Sequence, residues 1–173
     1  MSVAPLTSSF PGEAFRQIMA ALVAGVSVVT SVDADGEPRG LTTTAVTSVS
    51  LDPPLLLVCV AHESRTLPAI RHSGRFAVNL MHDTADQTAL RFASKLEDKF
   101  EGRAWRFGRY GSPLLHEDAL AWAECRVEQE IEAGDHVVVI GRVEHGLAID
   151  DERAPLTYFR RRFGSWSKGG SSE

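Results

Sequence analysis

Residues 40–54, GLTTTAVTSVSLDPP, gather hydroxyl and small side chains into one run that closes on a double proline. Hydroxyls and exposed amides bind phosphate, and small side chains let a flat ring approach the backbone. The run therefore has the makings of a cradle for a planar, phosphorylated molecule. Thr42, Thr44, Ser48 and Ser50 supply hydroxyls, and Ala45, Thr47 and Ser48 are the small positions. An edge strand would use the same threonines for their β propensity alone. Ser64-Arg65-Thr66, at an expected helix start, offers two hydroxyls and a guanidinium, which suit a phosphate site or an ordinary cap. Lys99-Phe100 sets a cation beside an aromatic ring, although loop charges are commonly just solvated. Gly134-Asp135-His136 puts an imidazole at the first position of a strand beside a tight turn, with Asp135 able to orient it. A surface histidine fits the same three residues. Arg160, Arg161 and Arg162, beside Tyr158 and Phe159, suit a pyrophosphate or simply balance surface acids.

These residues must be positioned by a chain of 173 residues, the size of one ordinary domain. Hydrophobic residues make up 43% and charged residues 24%, which is globular rather than disordered composition. The net charge of −5 gives no overall positive field, so nucleic acid is not an expected partner. Cys59 and Cys125 sit in apolar runs without metal-ligand spacing and read as reduced core residues, and no metal site is expected. The apolar run from Ile18 to Val29 is short and follows Glu13, so it reads as helix and strand rather than a leader or a membrane span. A soluble, cytoplasmic protein is the expectation.

Helical spacing of Phe15, Ile18, Met19, Leu22 and Val23 predicts a helix over 13–24 that covers one side of a sheet. VSVVTSV predicts a strand over 26–32, and the turn at 33–36 returns the chain as a hairpin partner running through 41–49 with different sets on its two faces. Residues 55–60 read as a strand buried on both faces. A short helix follows, with Ser64 and Thr66 as caps, Pro68 in its first turn and Gly74 as its stop. In the strand 75–81, Phe76, Val78 and Leu80 are expected inward, and Thr84 with Gln87 predicts a capping box for a helix to about Ser94. Residues 98–113 read as loop, 121–128 and 136–143 as a second hairpin, and 156–163 as a last core segment before a loose tail. Antiparallel strands without βαβ rhythm favour a closed or nearly closed β-barrel with helical covers. No GxGxxG or P-loop pattern occurs, so a nucleotide would not be held in a Rossmann or Walker manner.

In this order, GLTTTAVTSVSLDPP, SRT, RFAVNL, DKFEG, LAWAEC, GDHVVVIG and YFRRRFG resemble the flavin reductase-like family, over about residues 15–164. The pairing of TSVSLDPP with GDH and VxxIG is far more specific than either piece. The resemblance implies a mainly β fold, the FMN-binding split β-barrel, an antiparallel Greek-key barrel with covering α-helices. It implies a domain over 13–164 flanked by flexible segments 1–12 and 165–173. It also implies a homodimeric NAD(P)H:flavin oxidoreductase that uses FMN or FAD with NADH or NADPH. Reduced flavin would pass by diffusion to a partner flavin-dependent monooxygenase. Residue by residue, Thr44, Ala45, Thr47 and Ser48 would meet the flavin ring and ribityl chain, Ser64 and Thr66 its phosphate, and Lys99 and Phe100 its flank. His136 and Arg160 would meet the nicotinamide nucleotide. Hydride passes directly between cofactors in such enzymes, so no acid/base triad is expected. A flavin-dependent oxidase of a small substrate and a non-enzymatic flavin carrier or sensor are the alternatives. The chain departs from the family's YxRGRY-like pattern, with Arg161 in place of glycine and Phe163 in place of tyrosine, and Val46 stands where phenylalanine is common.

Overall fold

The computed structural model describes residues 10–149 and 152–166. Its elements are α1 Gly12–Ala20, β1 Ala24–Gly25, β2 Ser27–Val32, β3 Pro38–Thr43, β4 Val46–Ser50, β5 Leu55–Ala61, α2 Thr66–Ser73, β6 Arg75–Met81, α3 Asp86–Ala93, β7 Arg106–Phe107, β8 Pro113–Leu114, β9 Ala119–Ala133, β10 His136–Ala148, β11 Leu156–Phe159 and β12 Arg162–Ser165. Seven strands form one antiparallel sheet in the order β3-β2-β6-β9-β10-β5-β4, and β1, β11 and β12 form a small second sheet.

The expected strand over 41–49 is in fact two strands, so its faces are not continuous. The Thr43 hydroxyl accepts the Ala45 N–H at 3.0 Å, a local turn that competes with the ladder. β3 pairs with β2, whereas β4 pairs with β5, so consecutive strands occupy opposite edges of the same sheet. Hydrogen bonds do not close that sheet. Of the expected closed or nearly closed barrel, the structure shows an antiparallel sheet whose two edges are joined covalently through Thr44 and Ala45.

Each face of the sheet carries a core. Alternation along β2 sends Val29 to a cluster with Val58, Val60, Phe76, Val78, Val137 and Val139, sealed by Leu67 and Ile70 of α2. Val28 joins Met81, Ala89, Phe92, Phe100 and Leu156 in the cluster under α3. Burying a side chain such as Phe76 or Ile70 contributes about 1.5–3 kcal/mol, so the two helices are held by packing more than by their own eight-residue propensity. Gly141 is required beside Phe76, because a Cβ there would lie 2.5 Å from the ring.

Other expectations change with the structure. α1 ends at Ala20 because Ala24 and Gly25 pair with Tyr158 and Thr157, and α1 buries none of its residues, so it does not cover the sheet. β5 is fully buried only at Val58 and Val60, and Cys59 is half-buried rather than core. Central β6 is buried on both faces, yet Leu80 is exposed. The capping box does not form: the Thr84 hydroxyl meets His82 Nδ1, and the Asp86 carboxylate accepts the Gln87 N–H. The loop over 98–113 contains β7 and part of the β7–β8 pair. The last segment is the β11–β12 hairpin, and the proposed tail begins inside β12; residues 167–173, like 1–9 of the N-terminal arm, lie outside the described residues.

Candidate functional site

A hollow of about 640 Å³ opens where β3, the end of β5, the start of α2 and the segment following α3 meet. Ser64, Thr66, Lys99, Phe100 and His136 all line it, although they are scattered along the sequence. Sheet pairing explains the convergence. His136, first residue of β10, stands opposite Ala61 at the end of β5, and α2 begins shortly after that strand.

At the start of α2, the Ser64 Oγ accepts the Thr66 N–H at 3.2 Å, while its carbonyl accepts the Leu67 N–H. Ser64 thus braces the turn leading into the helix, whose N-cap position is Arg65 rather than the expected Ser64 or Thr66, and leaves its hydroxyl proton free to donate. Thr66 is only 2% exposed. Arg65 donates to the carbonyls of Lys95 and Leu96, which fastens α2 to the segment beyond α3.

Lys99 is not the solvated loop charge its position suggests. Its Nζ donates to the carbonyls of Phe92 at 2.7 Å and Gly40 at 3.1 Å. Burial, and then the nearby Arg65 charge, hold its pKa below the usual lysine value. Phe100 is buried edge-on against Phe92 and Trp105, so it forms a fixed wall. Gly40 is what lets that wall close: a Cβ on it would meet the Phe92 ring at 2.6 Å.

The Gly134-Asp135 turn, with Gly134 at φ 68°, delivers His136 to the lining of the hollow beside the end of β5. Its Nδ1 lies 2.7 Å from Asp135 Oδ1, and that hydrogen bond, with the imidazole's charge, holds the Asp135 carboxyl below the usual range. The contact fixes the ring's direction by one side and leaves Nε2 available.

Thr44, Ala45, Thr47 and Ser48 are exposed and do not line the hollow; their neighbour Thr43 does. They adjoin it through β5, since the Ala45 carbonyl accepts the Cys59 N–H at 3.1 Å and Val46 stands opposite Val58. Ala45 and His136 therefore flank the same strand from opposite sides. The Thr42 hydroxyl is already committed to the Ala89 carbonyl. Arg160 is elsewhere: it lines a separate hollow of about 660 Å³ with Val23, Phe159, Arg162 and Trp166, so within one chain the structure does not bring it to His136.

Sequence reasoning missed Cys59, Phe92 and Arg39 in the wall of the first hollow, since each lies in a run that reads as plain strand or helix. Cys59 is half-buried, and burial raises its thiol pKa, which makes it a wall rather than a nucleophile at neutral pH. Glu124, within the expected strand over 121–128, is fully buried. It accepts the N–H groups of Arg109 at 2.8 Å, Tyr110 at 2.9 Å and Ser112 at 3.4 Å, and lies 3.4 Å from His145 Nδ1. Among the described residues no group of three or more metal-ligating side chains converges, and no helix is long and apolar enough to cross a membrane.

Residues 19–167 match the model of the flavin reductase like domain. A flavin reductase (NADH) of Kitasatospora aureofaciens is 45% identical over 156 residues, 90% of this chain and 82% of that protein. A flavin reductase (NADPH) of Lentzea aerocolonigenes is 40% identical over 156 residues, 90% of each chain. The NADH:FAD oxidoreductase SgcE6 of Streptomyces globisporus C-1027, solved in complex with NAD and FAD fragments, superposes with a TM-score of 0.86 at 30% identity, over 96% of this chain and 99% of that one.

Proposed function

This chain belongs to the flavin reductase-like family, and from that membership we propose that it is an NAD(P)H:flavin oxidoreductase that supplies reduced flavin to a separate monooxygenase. The observation that carries this reading is the convergence of Ser64, Thr66, Lys99, Phe100 and His136 on one hollow. Its volume suits a small-molecule site, and its donor set suits a flavin: hydroxyls and guanidinium for phosphate, a rigid aromatic wall, and a lysine ammonium already oriented by two carbonyls.

Nicotinamide supplies the hydride and flavin accepts it, so this chain needs no acid/base triad. Ser64 and Thr66 would hold the phosphate at the start of α2. Lys99 and Phe100 would flank the ring, the ammonium offsetting negative charge gained on reduction. The exposed Thr44, Ala45, Thr47 and Ser48 would close over the ring and ribityl chain from the β3–β4 junction. His136, steadied by Asp135, would orient the nicotinamide. Arg160 would reach a nicotinamide nucleotide only from another subunit. FMN and FAD, and NADH and NADPH, are all candidates at this stage; the two reductases compared above bear different nicotinamides in their names.

The same reading takes the fold as a split barrel, with a functional unit over 13–164 between short terminal segments, in the cytoplasm. It takes the protein as a homodimer, supported by the apolar face that α1 leaves exposed through Phe15, Ile18 and Met19, continued by Leu22 and Val23. Reduced flavin would leave by diffusion.

The test is anaerobic stopped-flow mixing of the protein with FMN or FAD and with NADH or NADPH, following bleaching of the oxidised flavin. Rapid bleaching with at least one pair is expected. Flavin binding without nicotinamide oxidation would leave an oxidase of another substrate, or a carrier.

A further inference from the structure

We infer that residues 94–99 form a strap over the hollow that tightens when the flavin phosphate binds, and that Arg65 is the positioning residue that couples the two. The inference rests on the proposed function, which sets that phosphate at Ser64 and Thr66, and it names what retains the flavin there until release. Ser94, Lys95, Glu97 and Lys99 of the strap all line the hollow.

The strap follows α3 and belongs to no helix or strand. Of its N–H groups from Lys95 to Lys99, only that of Leu96 has a partner among the described residues, the Ser94 hydroxyl at 3.3 Å. Its carbonyls hold it instead. Arg91 of α3 donates to the carbonyls of Asp98 and Lys99 at 2.9 Å each, and Arg65 Nη2 donates to those of Lys95, at 3.2 Å, and Leu96. Two guanidinium groups therefore grip the strap, one near each end, and they differ in where they stand. Arg91 is half-buried and outside the lining of the hollow, so its grip is constant. Arg65 is exposed, lines the hollow and sits between Ser64 and Thr66.

That position makes the Arg65 grip conditional. Water competes for its two exposed bonds, and ordering a long side chain costs entropy, so alone they hold the strap weakly. The Nε and Nη1 of Arg65 donate to no group among the described residues. A phosphate at Ser64 and Thr66 engages those donors while Nη2 keeps the strap carbonyls. Because the guanidinium is a rigid plane, fixing it on the phosphate side also fixes it on the strap side. The phosphate thereby tightens the segment that carries Lys99, and reduced flavin leaves only as the strap opens. Riboflavin, which has no phosphate, does not tighten it.

Tryptic cleavage after Lys95, exposed in the middle of the strap, reports its opening, with the site identified by fragment mass. With FMN at about 100 times its Kd, cleavage there is expected to slow about tenfold or more, and with riboflavin at equal saturation less than about twofold. Arg65→Gln, a change at an exposed position, should be cut rapidly whether or not FMN is raised to saturate it. Arg65→Lys, which keeps the charge without the plane, should recover only part of the FMN effect. Equal protection by FMN and riboflavin, or FMN protection that survives in Arg65→Gln, would overturn the inference while leaving the reductase reading intact. Failure of both flavins to bind the native chain, read by titration alongside, would remove both.

Discussion

The Lys99 ammonium donates to the Gly40 carbonyl at 3.1 Å, stitching the segment after α3 to an edge strand across the wall of the hollow. A second donation, to Phe92, secures the last turn of α3. Lys99→Met removes both bonds, each worth about 1.5–3 kcal/mol, but also relieves the burial of a charge, so the two effects on stability largely offset. Flavin affinity has no such compensation. The expected outcome is a roughly tenfold rise in flavin Kd with a stability change under about 1 kcal/mol, read by flavin titration and urea unfolding.

His136→Ala should raise the KM for NAD(P)H more than that for flavin, because the imidazole lines the hollow from the start of β10, where Asp135 aims it. Asp135→Asn keeps the ring but weakens the contact that aims it. Its effect on the nicotinamide KM should be smaller, about 2- to 10-fold, the equivalent of one hydrogen bond of about 0.5–1.5 kcal/mol. Steady-state kinetics with each substrate varied in turn separate these cases, and unchanged nicotinamide parameters in both variants would exclude the role.

Glu124 predicts a stability effect without a catalytic one. Glu124→Ala would leave the Arg109, Tyr110 and Ser112 amides without their acceptor, a loss of about 3–5 kcal/mol. Gly108→Ala should also be severe, since a Cβ there would overlap the Glu124 carboxylate. Urea unfolding should show both shifts. Because Glu124 lies outside the lining of the hollow, turnover per folded molecule should hold.

Arg160 and Arg161 form the β11–β12 turn with φ of 46° and 63°, a left-handed backbone that costs a non-glycine residue about 1–2 kcal/mol. Arg161→Gly relieves that cost and loses only an exposed ion pair with Glu13 and some unfolded-state entropy. Thermal unfolding should show the glycine variant equal to or more stable than the native chain by up to about 1 kcal/mol. Arg161→Val should fall below both, because a β-branched residue tolerates this conformation least.

How much of this was legible in the sequence depends on whether the informative contact is local. The 26–32 strand and its DADG turn, the Gly74 stop, and the hairpin through Gly134 could be read because residue type sets φ and alternation sets faces over a few positions. The flavin reductase resemblance was carried by such segments, and the family match over 19–167 agrees with it. The break at Thr44-Ala45 was hidden because threonine and alanine fit a continuous strand; only the partners, β2 for one half and β5 for the other, reveal it. Burial of Glu124 was equally invisible, since its three amide partners come from a loop with no periodicity. Ser64, Thr66, Lys99, Phe100 and His136 could be singled out one at a time, but their shared hollow is a product of strand order.

The Thr44-Ala45 link has a mechanical consequence. Because one dipeptide spans both rims of the sheet, neither rim is a free border that can peel away alone: tension from fraying at β3 is handed at once to β4. The two outer strands should breathe in step, with matched rates of amide exchange.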